Sequence, residues 1–278
     1  MKNGKEKLKK VQPYSNKTTL TVYLVLRGLI ILIMVRAVLR GNYESVFLCA
    51  LSLALLILPS ILQKRLYITL PSTLEVVILL FIFAAEILGE LASFYVRVPN
   101  WDTMLHTVNG FLCAAVGFAL VDMINRNERF SLKLSPVYLA IVAFCFSMTV
   151  GVLWEFFEFA ADRFLGLDMQ KDTVLSAIGS VALDPTMSNK VVRVKDIADV
   201  IILHSDGSQQ ALGLGGYLDV GLFDTMKDLF VNFIGAVVFS VIGYFYVKQE
   251  GKGKFASRFI PKVPQPAEKE KAGEEEKS

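Results

Sequence analysis

Val150–Phe159 reads VGVLWEFFEF, two glutamates, Glu155 and Glu158, in a run that is otherwise apolar or aromatic. A carboxylate in such a setting is costly unless something compensates its charge. Other apolar runs are interrupted in the same way. WDTMLHTVNG places Asp102 and His106 four apart with Asn109 three further on, and DTMKDLFVNFIGA carries Asp224, Asp228 and Asn232 at steps of four, with Lys227 between them. Steps of three and four put side chains on one helix face. By the same rule Glu86 pairs with Glu90, and Asp162 continues the Glu155/Glu158 stripe.

The acids outnumber the bases. Against Glu86, Glu90, Asp102, Glu155, Glu158, Asp162, Asp224 and Asp228 stand His106, Arg97, Arg163 and Lys227. Like charges a few ångströms apart cannot all ionise in a low dielectric, so either some acids are protonated or a cation sits among them. A divalent metal ion held by oxygen ligands and one imidazole suits the inventory, with Glu155, Glu158, Asp224, Asp228 and His106 as candidate ligands. Such an ion would polarise a phosphoryl oxygen or activate water. His106, oriented by Asp102, would then serve as general acid or base, with Glu155 and Glu158 as the other candidate catalytic groups. Asn109, Asn232 and Lys227 are candidate substrate-binding groups. Plainer readings stand beside these: Glu86 and Glu90 at the interface, Glu155 and Glu158 at headgroup level, His106 as a hydrogen-bonded structural histidine. Gly110, Gly151 and Gly235 read as sites of close helix packing.

The elements that must hold these residues are transmembrane helices. Of 278 residues 54% are hydrophobic, mean hydropathy is +0.50, and the excess lies in long blocks. A helical span takes roughly 20 residues. Six runs qualify: Leu20–Leu39, Tyr43–Leu62, Leu74–Tyr95, Met104–Ile124, Pro136–Phe164 and Asp228–Val247. The expected fold is all-α, a polytopic membrane bundle of about six transmembrane helices with one long extracytoplasmic loop.

Lysine and arginine crowd the N-terminal tail, Gln63–Pro71, Asn125–Ser135 and the stretch after the last span. That alternation places both termini in the cytoplasm, at the cell membrane. It divides the chain into a basic tail (1–18), a transmembrane domain (19–248) with its loop at 166–223, and a disordered charged tail (249–278). All the polar sets then fall near the outer leaflet. Within the loop, β-branched runs flank a Ser-Asp-Gly turn signal and predict a small hairpin. The first apolar run reads as an uncleaved signal anchor. A net charge of +3 is too small to argue for nucleic acid, and Cys49, Cys113 and Cys145 read as small hydrophobes.

The same residues carry a resemblance. Asp102, His106 and Gly110, then Glu155 and Glu158, then Asp224, Thr225, Asp228, Gly235 and Ala236 resemble the pattern of the YjdF-like bacterial membrane proteins, a family without an assigned reaction. A weaker similarity, through Asp228, Asn232 and Gly235, runs to VanZ-like proteins, with Thr103 where that group shows lysine. The first reading is metal-dependent action on a lipid-linked or envelope substrate at the outer leaflet, among membrane lipids. The alternative is a transporter or binding protein for a cation, proton or lipid headgroup, or a non-catalytic envelope-stress factor.

Overall fold

A computed structural model describes residues 16–66, 68–125, 134–251 and 253–261. The first fifteen residues, the basic stretch 126–133 and the end of the chain from 262, on which the expected cytoplasmic segments fall, lie outside the described residues. The chain divides into two compact units. Val152–Phe230 forms one, and the remaining described residues form the other.

The larger unit is helical. Helix α1 (Lys17–Leu39) starts at Asn16, whose side chain accepts from Thr18 N–H. It ends at Gly41, whose φ of +69° closes a turn that a residue with a Cβ would strain. Asn42 caps α2 (Tyr43–Leu55) by accepting from Ser45 N–H. The predicted second span is broken: α2 stops at Leu55 and α3 (Leu58–Leu66) begins three residues later. Pro59, which has no N–H to donate, sits at that joint.

The third predicted span, Leu74–Tyr95, is not one α-helix. Helix α4 (Ser72–Phe83) continues as a π-helical segment, Ala84–Leu91, and Ala92 N–H still donates to Ile87 O five residues back. Gly89 within it lies under the Tyr95 ring, so close that a Cβ would stand 2.3 Å from that ring. The wider turn ends at Ser93, in the left-handed region, and a short helix α5 (Phe94–Arg97) follows.

The other spans are longer than expected at their polar ends. Helix α6 is Trp101–Asn125 and α8 is Leu222–Lys248, so Asp102 and Asp224 both fall in first turns, where an acid suits the helix dipole. Helix α7 is Pro136–Leu165, with Pro136 at its first position and Ser135 Oγ accepting from Tyr138 N–H. Among the described residues five helical runs, with α2 and α3 taken together as Tyr43–Arg65, are long and apolar enough to cross a membrane.

Two apolar cores hold this unit. One joins α1, α2 and α4 through Tyr23, Leu26, Ile30, Cys49 and Leu79. The other joins α4, α6, α7 and α8 through Leu74, Ala114, Phe118, Leu139, Ala143 and Phe239. Outward-facing Leu24, Leu32 and Val35 leave α1 apolar on its exposed side, as a lipid-facing helix is. The chain after α8 departs from an unstructured tail beginning at 249. Ala256 and Ile260 are buried in the second core and the Phe259 ring packs on Phe111, because FASRFIP supplies apolar side chains between the basic ones.

The smaller unit holds the end of α7, the start of α8 and the segment between them. That segment forms three two-stranded antiparallel ladders. Strand β1 (Val174–Leu175) pairs with β6 (Tyr217–Leu218), and β2 (Ile178–Ser180) pairs with β3 (Val192–Val194). The predicted hairpin is the third, β4 (Ile201–Leu203) with β5 (Gln209–Ala211), turning through Gly207 at φ +84°.

Candidate functional site

In the larger unit α6 and α8 meet backbone to backbone. A Cβ on Gly110 would lie 2.2 Å from Asn232 O, and one on Gly235 would lie 2.1 Å from Thr107 O. Helices in lipid gain nothing from apolar burial against each other, so close approach at small residues supplies the packing. Helix α7 joins the same crossing. Ser147 Oγ donates to Gly110 O at 2.7 Å, and a Cβ on Gly151 would stand 2.6 Å from the Asn232 carboxamide nitrogen.

Asn232 is buried in this crossing, 1% exposed. Its nitrogen faces Ser147 O at 3.5 Å and Met148 Sδ at 3.6 Å, and its oxygen has no hydrogen-bond partner. One turn before Gly110 on α6, His106 Nε2 lies 3.4 Å from Asp102 Oδ1, with the imidazole buried. That pairing fixes one ring nitrogen on the carboxylate, the arrangement by which a carboxylate orients a metal-binding or proton-transferring histidine. Asn109 does not share this pairing: its oxygen accepts from the Cys113 thiol on its own helix.

In the smaller unit the acids fall into two kinds. Glu155 and Glu158 are buried on α7, and Trp154 Nε1–H donates to Glu158 Oε1 at 2.7 Å. Asp228 on α8 is 1% exposed. The other acids tie down chain. Asp162 accepts from Met169 N–H and Gln170 N–H, at 2.6 and 2.9 Å. Asp224 accepts from Lys171 N–H at 2.8 Å and from Lys227 Nζ at 3.0 Å. Asp219 accepts from Thr173 N–H at 2.6 Å and from Phe223 N–H at 2.8 Å. Three aspartates thus hold the stretch 169–173 between the ends of α7 and α8.

Sequence spacing put Asp224 and Asp228 in one class. In the structure both Asp224 oxygens accept hydrogen bonds, one from Lys171 N–H and one from Lys227. Lys227 in turn is an Asp224 partner, 3.9 Å from Asp228 Oδ1. Asp219, Ser147 and Gln63 had no part in the sequence reading. Ser147 did carry a signal, since it lies four residues before Gly151 in an apolar run. Glu86 is half-buried and Glu90 exposed on the π segment.

Carboxylates and an imidazole of the kinds that hold a divalent ion are therefore present: Asp102 and His106 in the larger unit, Glu155, Glu158 and Asp228 in the smaller. A protein of Thermotoga maritima, described as uncharacterized, is 26% identical over 144 residues, which is 49% of this chain and 71% of that one. No solved structure matches the chain. The family model described as "Predicted membrane protein (DUF2238)" matches residues 21–249, which supports the YjdF-like resemblance and leaves the VanZ-like one without support. Because that match runs from the first helix to the end of the last and takes in every candidate site residue, the chain belongs to the DUF2238 family of predicted membrane proteins.

Proposed function

We propose that buried carboxylates and the imidazole of His106 bind a divalent cation in the membrane and that the protein acts on a lipid-linked or envelope substrate. The observation that carries the reading is burial: His106 is buried with its Nε2 3.4 Å from Asp102 Oδ1 in the larger unit, and Glu155, Glu158 and Asp228 are each buried in the smaller.

Asp102 and His106 of the larger unit and Glu155, Glu158 and Asp228 of the smaller are residues of the types that ligate such an ion. The unpartnered Asn232 oxygen adds one more donor of the right kind. Asp224 stays with the loop. In this reading Asp102 orients His106, and a bound ion would polarise a phosphoryl oxygen or lower the pKa of a water. The surface of α7 supports the substrate class: Leu153, Trp154, Phe156, Phe157 and Phe159 are exposed around the two buried glutamates, which suits access from lipid. The distribution of lysine and arginine puts the site near the outer leaflet of the cell membrane, with both termini cytoplasmic.

The test is the metal content of the detergent-purified protein beside Glu155→Gln and Asp228→Asn. A stoichiometric divalent ion in wild type, lost in both variants, is expected, and turnover of lipid phosphates is then assayed with that ion present. Wild type without an ion after equilibration with zinc, manganese and magnesium would sink the reading. The second reading, binding or transport of a cation or proton, draws support from a buried acid elsewhere, Glu75.

A further inference from the structure

Glu75 lies in the first turn of α4 with none of its surface exposed. Its Oε1 accepts from Gln63 Nε2 at 3.0 Å. Its Oε2 is buried and has no hydrogen-bond partner, and among the described residues no lysine, arginine or histidine pairs with it. Gln63, 2% exposed, is held in place because its own oxygen accepts from Leu70 N–H at 3.1 Å. Three residues earlier on α3, and hence on the same face, Ser60 is buried with an unpartnered hydroxyl. Leu70 and Leu74, both buried, make the surroundings apolar.

A carboxylate with one neutral hydrogen bond and no counter-charge is not stable in such surroundings. The Gln63 amide orients the group but does not neutralise it. We propose that Glu75 binds a small cation, a proton or an alkali-metal ion, at Oε2, with the Ser60 hydroxyl, on the Gln63 face of α3, as a second candidate oxygen. All these residues belong to the larger unit, and none is part of the cation site proposed above. A monovalent cation held on a buried carboxyl is what a proton- or sodium-coupled step in a membrane protein needs.

Infrared difference spectra of the full chain in lipid nanodiscs, wild type minus Glu75→Gln, read this directly. Spectra are taken in choline buffer and again with sodium or potassium. A protonated-carboxyl C=O band that depends on Glu75 in every buffer identifies the proton. The same band in choline, lost when an alkali ion is added, identifies the ion. No Glu75-dependent band in any buffer would overturn the proposal. Should Glu75→Gln fail to accumulate as folded protein, Gln63→Met leaves Glu75 in place and removes the donor to Oε1. The band must then move in frequency, and a spectrum unchanged by Gln63→Met counts against the site.

Discussion

The crossing of α6, α7 and α8 and the segment between α7 and α8 solve the same problem with opposite materials. At the crossing, Gly110 and Gly235 let two backbones touch, and one serine hydroxyl and one carboxamide are the polar links. In the segment, Asp162, Asp219 and Asp224 each accept backbone or lysine N–H groups, and the ladders are only two or three residues long. A helix in lipid has already satisfied its own backbone, so shape decides how it packs. An irregular segment has free amides, and charged acceptors decide where it goes. Asp162, Asp219 and Asp224 are thereby committed to amide or lysine N–H groups.

The largest effect expected from breaking this comparison is at the glycines. A Cβ on Gly110 or Gly235 meets helix backbone, which cannot rotate away. Gly110→Ala and Gly235→Ala should each cost at least ~2 kcal/mol, at the high end of overpacking penalties. Gly28, in the middle of α1, has nothing within 4 Å of its Cβ position. Gly28→Ala should leave stability unchanged or raise it by up to about 1 kcal/mol through helix propensity. Thermal unfolding midpoints in one detergent compare all three, and equal losses at Gly28 and Gly110 would show that the crossing is not special.

The next effect separates two aspartates one helical turn apart. Asp228→Asn should remove bound divalent ion and leave the amide protection of 169–173 intact. Asp224→Ala should do the reverse, retaining the ion and opening that stretch to hydrogen exchange. Asp162→Ala, which removes acceptors for two amides, should lower the local opening free energy at Met169 and Gln170 by ~2 kcal/mol. Ion loss in Asp224→Ala with protection unchanged would reverse the assignment.

The sequence carried the framework of this picture and little of its division of labour. Apolar runs located the spans, and Ser-Asp-Gly located the β4–β5 turn, because both signals are local. The π-helical segment has no local signal: AAEILGEL reads as ordinary helix, and only the Tyr95 ring over Gly89 marks the place. The pairing of Ile178–Ser180 with Val192–Val194 depends on a partner a dozen residues away. Asp224 and Asp228 are alike in type and spacing, and what distinguishes them is the path of a backbone some fifty residues upstream. Glu75 opens an apolar run just as an interfacial acid does, and its burial comes from α3 folding against it.

A smaller effect probes the contact between Gly151 and Asn232. A Cβ at Gly151 meets the end of a side chain, not backbone, so Gly151→Ala should cost only about 1 kcal/mol. It should nevertheless displace the Asn232 carboxamide. If the Asn232 oxygen serves the proposed ion, affinity should fall more than stability does. Calorimetric titration of the ion against wild type and Gly151→Ala decides it, and equal affinities would remove Asn232 from the site.

The smallest effect lies among the loop acids and is one of order. Asp184 accepts from the hydroxyls and backbone amides of Thr186 and Ser188, and these bonds hold its carboxyl well below the usual carboxylate range. Its ionised form favours the folded turn, so that contribution is complete above the unfolded pKa near ~3.9 and disappears as pH falls through the lower folded value. Asp172 is pushed the other way, first by desolvation and then by the charges of Asp168, Asp219 and Asp162, with Lys171 opposing. Its folded pKa lies above the unfolded one, so folding is disfavoured as pH rises through the folded value, and protonation on acidification relieves this. Carboxyl chemical shifts followed downward from pH 7 should therefore show Asp172 taking its proton first and Asp184 last. Thr186→Val together with Ser188→Ala, which removes both hydroxyl donors, should bring Asp184 back towards the ordinary range and leave Asp172 where it was.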